Sequence, residues 1–165
     1  MKQLKIGLTG LGRIGKAHLN NLVYRIPEVQ VVAVSDVDPD TENLAENYGI
    51  SPQSSVKTMI VKSGEGKYFA LILRGDHTLN MFKVEKLACM GGAAELATDQ
   101  EINTVMGAYP GSLGPVNSPI PVIVDHDAAV LADFVCGANK NAWHYTGVNW
   151  TRDVGEFERT DLRNV

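Results

Sequence analysis

The chain has 165 residues, 44% of them hydrophobic and 21% charged, with a formal net charge of −4. A chain of this length buries about 70% of its unfolded surface, so it is one domain, or one domain with a small extension, around a core of its own. The acidic balance argues against indiscriminate nucleic-acid binding, and no apolar run approaches the roughly 20 residues of a membrane helix.

In chain order, Leu4 to Thr9 reads as a short apolar strand, and Thr9, Gly10, Gly12 and Arg13 interrupt the apolar stretch that a secretory leader would need. Arg13 to Arg25 has helical spacing, with Ile14, Ala17, Leu22 and Ile26 on one broad face, until Pro27 breaks it. Val29 to Ser35 is nearly all apolar and β-branched, which suits a strand of a parallel sheet buried on both faces. The unit is strand–helix–strand, with a right-handed crossover expected. Asp38 to Thr41 is a turn, and Glu42 to Tyr48 a short helix ended by Gly49. Val56–Lys62 and Tyr68–Arg74 read as strands of a hairpin turning through Ser63-Gly-Glu-Gly66. Asn80 to Leu87 is a short helix, and Thr98-Asp-Gln-Glu101 is a capping box that opens a helix stopping at Gly107. Pro110 to Pro121 is a structured loop rich in Pro and Gly. Val122–Asp125 and Trp143–Trp150 read as strands, and residues 126–142 fit either a short helix or extended chain.

Charge is unevenly spread. Residues 51–86 hold six basic side chains (Lys57, Lys62, Lys67, Arg74, Lys83, Lys86) and three acidic ones, so a basic region is available for a phosphate-bearing ligand, or else forms solvated strand edges. Cys89 and Cys136 have no CxxC partner and no metal-like spacing with His18, His77, His126 or His144, which points to free thiols in a reducing cytoplasm and to no metal site.

Gly10-Leu-Gly12-Arg-Ile-Gly15 follows the first strand, and Asp36 closes the second, 21 residues after Gly15. Gly10 permits a tight turn, Gly12 lets a pyrophosphate approach the backbone, and Gly15 lets the helix pack close. The helix N-terminus would face the phosphates, and Asp36 could accept the ribose hydroxyls of NAD. With IGLTGLGRIGKAHLNNL and VVAVSDVDPDTENLAENYGI, residues 6–49 resemble the start of the Gfo/Idh/MocA oxidoreductases. The later strands, the Glu-Lys-Pro motif and the substrate domain of that family have no counterpart here. The expectation is therefore a βαβ unit with at most weak nucleotide affinity and no dehydrogenase activity.

A second set of segments runs through the rest: VKTMIVK (56–62), LILRGDHTLNMFKVEKL (71–87), TDQEI (98–102), GSLGPVNSPIPVIVD (111–125), ADFVCGAN (132–139), HYTGVNWTRDV (144–154) and DLRNV (161–165). In order and spacing these resemble the insertion domain of bacterial prolyl-tRNA synthetases, a domain that in its family hydrolyses alanine mischarged onto proline tRNA and whose fold the free-standing YbaK-type deacylases share. Read physically, a lysine near the start of an apolar strand can aim a cation at a developing oxyanion, and backbone N–H groups of a Gly-rich turn can bind a carbonyl oxygen or a ribose. The resemblance places Lys57, Gly111, Gly114 and Pro115 in the catalytic machinery. It makes His144 the wall that confines the pocket to alanine, and Asp133 an acid near it that either binds the substrate amine or caps a turn. It implies the 3′ end of an aminoacyl-tRNA as partner, no required cofactor, and no DNA or membrane. The expected architecture is α/β: a Rossmann-like βαβ unit (1–40) fused to a YbaK-like mixed-sheet editing domain (41–165). Thr41 to Gly49 fits both families, as it would in an engineered chimera joined through a shared helix. The reading is an editing-type deacylase carrying a grafted segment, with a silent scaffold or a weak NAD-binding module as the alternative.

Overall fold

The computed structural model describes residues 4–9, 28–35 and 51–164, and a few positions between 18 and 26. The expected helix Glu42–Tyr48 and the turn before it lie outside these residues. Of the helix expected over Arg13–Arg25, His18, Asn21, Leu22 and Arg25 are described, and they are helical.

The fold is mixed α/β. Among the described residues, nine strands build two sheets: β1 (Leu4–Thr9), β2 (Val29–Ser35), β8 (Trp143–Val148) and β7 (Phe134–Gly137) in that order, and β5 (Ala94–Leu96), β3 (Val56–Ser63), β4 (Tyr68–Arg74), β6 (Val122–Asp125) and β9 (Glu158–Thr160) in that order. β1 and β2 pair in parallel, as a strand–helix–strand unit requires. β2 then joins β8 antiparallel, through Ala33↔Tyr145, Val34↔His144 and Ser35↔Trp143, so the N-terminal pair extends the sheet that holds His144.

β3 and β4 form the expected hairpin, and β4 is buried along five consecutive residues, matching its unbroken apolar run. Alternation sorts that run into two clusters. Ala70 and Ile72 face a core between the sheets with Val56, Ile60, Val124, Phe134, Cys136, Val148 and Trp150. Phe69 and Leu71 face a second cluster, under Val84 of α1 (Met81–Glu85), Met90 and Leu162. β3 changes neighbours along its length: Val61 to Ser63 pair with β5, whereas Ser55, just before the strand, bridges Val135 of β7 in parallel. The two sheets therefore meet at the start of β3.

Helix α2 (Asp99–Met106) has the capping box read from sequence: Thr98 Oγ1 accepts from Glu101 N–H, the Glu101 carboxylate accepts from Thr98 N–H, and Gly107 ends the helix at φ 76°. Residues 126–142 resolve as a turn over 126–130, the strand β7 and a second turn, because Phe134 and Cys136 of β7 pack into the inter-sheet core. β5 and β9 were not expected; each is three residues long, too short for an alternating pattern to register. The last strand expectation shortens to Val148, and Trp150–Val154 becomes one π-type turn held by Asn149 N–H to Asp153 (2.8 Å). The basic region is largely spent on local ion pairs: Lys62–Glu101, Lys67–Glu65, Arg74–Asp76 and Lys83–Asp161, at 2.6–2.9 Å. Among the described residues, Lys57 and Lys86 have no such carboxylate.

Candidate functional site

Lys57 sits where the sheets join, half-buried on β3 and paired with Leu73. Ser55, two residues before Lys57, bridges Val135, two residues before Gly137, so β3 starts next to β7. Gly137 in turn pairs with His144 on β8. Side-by-side residues in a sheet share a face, so Gly137 and His144 form a row across β7 and β8, with Lys57 at the start of the neighbouring β3. Val56 and Cys136, one residue off in each strand, point into the inter-sheet core, so the row lies on the opposite face.

The loop Gly111–Pro115 is folded down onto this row. A Cβ at Gly137 would overlap the backbone of Ser112 and Leu113, and a Cβ at Gly114 would overlap the Gly137 carbonyl; only glycine at both positions permits the approach. Gly111 adopts φ 91°, a backbone state that L side chains rarely take. The turn from β7 to β8 then staples the loop. Ala142 N–H donates to Ser112 Oγ (2.9 Å), and Tyr109 N–H donates to Asn141 Oδ1 (2.8 Å). Asn139 bonds to Ser112, Gly114 and Val116. Among the described residues no acceptor meets the N–H of exposed Gly111, which is thus free at the mouth of the loop.

His144 closes the arrangement. Its Nε2 lies 3.0 Å from the Gly111 carbonyl oxygen. A carbonyl only accepts, so Nε2 carries the hydrogen, and in the neutral ring Nδ1 is left as an acceptor. Burial pushes the imidazole pKa below its ordinary value, against the opposing effect of the Gly111 bond. Burial likewise lowers Lys57, and the charge of Asp76 opposes it.

The structure thus brings together Gly111, Gly114 and His144, with Pro115 buried in the same loop and Lys57 at the start of the neighbouring strand. Asp133 stands apart, at the far end of β7, about 13 Å along the strand from Gly137. It is exposed at φ 52°, its N–H bonds to Asn149 Oδ1 (3.3 Å), and its carboxylate accepts from Asn149 Nδ2 (2.8 Å); these are the contacts of a turn cap. Gly10, Gly12, Gly15 and Asp36 lie outside the described residues. Sequence reading missed Asn139, Asn141 and Ser112. The only local hint is an Asn two residues beyond the strand glycine.

A second polar cluster lies elsewhere. Ligand atoms of His77, Asp125 and Asp127 fall within 4.8 Å of one another. Arg163 already occupies both carboxylates, reaching Asp125 at 3.0 Å and Asp127 at 3.3 Å, and Asp125 also accepts from Leu162 and Asp127 N–H groups. Burial raises the Asp125 pKa, but those hydrogen bonds and the guanidinium outweigh it and hold the carboxyl below its usual range. The cluster reads as an ion-paired clasp for the C-terminal strand. His18 and His126 are exposed, and neither joins the row.

Sequence comparison names the family to which these mixed sheets and the glycine-dependent loop belong. The chain belongs to the aminoacyl-tRNA editing domain family, whose profile matches residues 38–154. A proline–tRNA ligase of Francisella tularensis subsp. novicida (strain U112) is 44% identical over 124 residues, which make up 75% of this chain and 22% of the ligase. The chain therefore spans about a fifth of that relative's length. Among solved structures, a protein described as a trans-editing enzyme for prolyl-tRNA synthetase superposes with a TM-score of 0.68 at 16% identity, over 91% of this chain and 97% of its own. A hypothetical protein superposes with a TM-score of 0.66 at 21% identity, over 90% and 99%. Coverage of 91% leaves out fewer residues than the first 40, so part of the N-terminal segment falls within the shared fold. The comparisons give no support to an oxidoreductase-type dinucleotide unit or to a graft.

Proposed function

We propose that the chain is an ester hydrolase that removes alanine from mischarged proline tRNA. One observation supports the reading: the Gly111–Pro115 loop and His144, distant in sequence, are held together beside the start of the strand that carries Lys57. Its 44% identity to a proline–tRNA ligase narrows the substrate. Water adds to the ester carbonyl carbon, charge gathers on the carbonyl oxygen, the bond to the terminal ribose oxygen breaks, and a proton passes to that oxygen. The products are alanine and a tRNA with a free hydroxyl. The Gly111 N–H and the Lys57 ammonium are the donors for the developing oxyanion, and the fixed imidazole of His144 walls the pocket around a small side chain. The neighbouring ribose hydroxyl of the tRNA orients the water, so the rate comes from proximity and charge stabilisation. Asp133 serves as a turn cap. The test is deacylation of alanyl-tRNA(Pro) by this chain and by Lys57→Ala. Hydrolysis is expected, falling about 100-fold in the variant. A folded protein with no activity would leave the chain a silent scaffold and overturn the reading.

The parallel β1–β2 pair favours a second, separable proposal: residues 1–40 are a βαβ unit of separate origin, joined as in a chimera to the editing domain at 41–165, and Gly10, Gly12, Gly15 and Asp36 hold NAD weakly. Ligand at 100 times its dissociation constant adds about 2.7 kcal/mol to stability. An unchanged Tm in millimolar NAD removes this proposal.

A further inference from the structure

Asn139 is the most heavily engaged residue around the loop. It follows β7 by two positions and takes φ 54°, a left-handed state that Asn tolerates better than most residues. Its carboxamide is saturated by one segment: Oδ1 accepts from Gly114 N–H (2.8 Å), and Nδ2 donates to Gly114 O (3.0 Å) and Val116 O (3.0 Å). Its own N–H donates to Ser112 O (2.9 Å). A flipped amide would set donor against donor at Gly114. An aspartate keeps the acceptor and turns two attractive contacts into carboxylate–carbonyl repulsions. The Gly114 N–H is thereby withdrawn from ligand binding, which leaves the Gly111 N–H as the loop's exposed donor.

We infer that Asn139 is a positioning residue of the editing site: it holds the Gly111–Val116 loop in the register in which the Gly111 N–H meets the substrate carbonyl. This rests on the hydrolase reading above. An unclamped loop still offers its surface to the tRNA end but misplaces the donor, and a misplacement of about 1 Å costs about 100-fold in rate. The loss therefore falls on kcat and spares KM.

The experiment has two readouts on the wild type, Asn139→Asp and Asn139→Gly; the glycine variant keeps the left-handed backbone at ease if the aspartate does not fold. The first is amide hydrogen exchange by NMR. Gly114 exchange is expected to speed up at least 10-fold in both variants, with the amides of the β3–β4 hairpin unchanged. The second is steady-state hydrolysis of alanyl-tRNA(Pro), with kcat expected to fall about 100-fold and KM to stay within about twofold. Unchanged Gly114 exchange overturns the clamp whatever the activity. Faster exchange with unchanged kcat, or with the whole loss in KM, overturns the positioning role. If the wild type is inactive, the hydrolase reading falls, and the exchange result alone decides the clamp.

Discussion

The Nε2–H of His144 donates to the Gly111 carbonyl, and burial holds the ring neutral. This has a pH consequence with a definite sign. The folded-state pKa lies below 6.5, so in the window just under that value the unfolded chain binds a proton that the folded chain does not. The His144 contribution is fully present above pH 6.5 and is lost as pH falls through the folded pKa. Urea unfolding from pH 5 to pH 8 should show stability rising with pH in the wild type and a flatter curve in His144→Gln, whose amide can still reach Gly111. Equal slopes would place the titrating group elsewhere. At this scale Lys57, the loop glycines and His144 were named through the editing-domain motifs they lie in, and the structure sets His144 against Gly111. Asn139 and Ser112 escaped, since the partners of Asn139 lie about 25 residues upstream and nothing in the local pattern names them. Asp133 was left open between two roles, and only its clasp with Asn149 showed which one its contacts satisfy.

Elements with strong local signals came through closely. The capping box at Thr98 exists in full, and Glu101 also takes Lys62 and Tyr68, each at 2.9 Å. The Thr98 N–H bond, followed by those two partners and the Thr98 hydroxyl, holds the Glu101 carboxyl at about 2. A depressed acid contributes stability above its unfolded value that disappears as pH falls toward 2. Thr98→Ala should cost about 1 kcal/mol at neutral pH, read as a lower urea midpoint at constant m-value. A cost near zero would mean that the Lys62 and Tyr68 contacts hold the helix start without the cap. The β3–β4 hairpin was equally legible, from an apolar run on each side of a Gly-rich turn. β5 and β9 were not, because strands of three residues form only where a neighbouring edge offers free N–H and C=O groups.

For the whole molecule, the decisive feature is β8, paired with β7 on one side and β2 on the other. Val34 stands opposite His144, and Thr146 Oγ1 donates to the Val31 carbonyl. Removing residues 1–36 uncovers the strand that carries His144. With a net worth of about 1 kcal/mol per lost backbone bond, Tm should fall by roughly 5 °C or more, and the bare edge should promote self-association in light scattering. An unchanged Tm and a monomeric product would show the N-terminal pair to be dispensable. The amino-acid sequence by itself determined the strong elements and the glycine positions, since these depend on periodicity, capping chemistry and backbone freedom within a few residues, and it pointed to the editing-domain family through the order and spacing of its motifs. Only the tertiary structure decided that β1 and β2 extend the sheet of β8, that Lys62 and Lys83 are tied up by the distant Glu101 and Asp161, and that Gly137 and His144 stand side by side with Gly111 against the histidine. Those outcomes depend on strand order and register, which bring distant residues face to face and leave little trace in any local window.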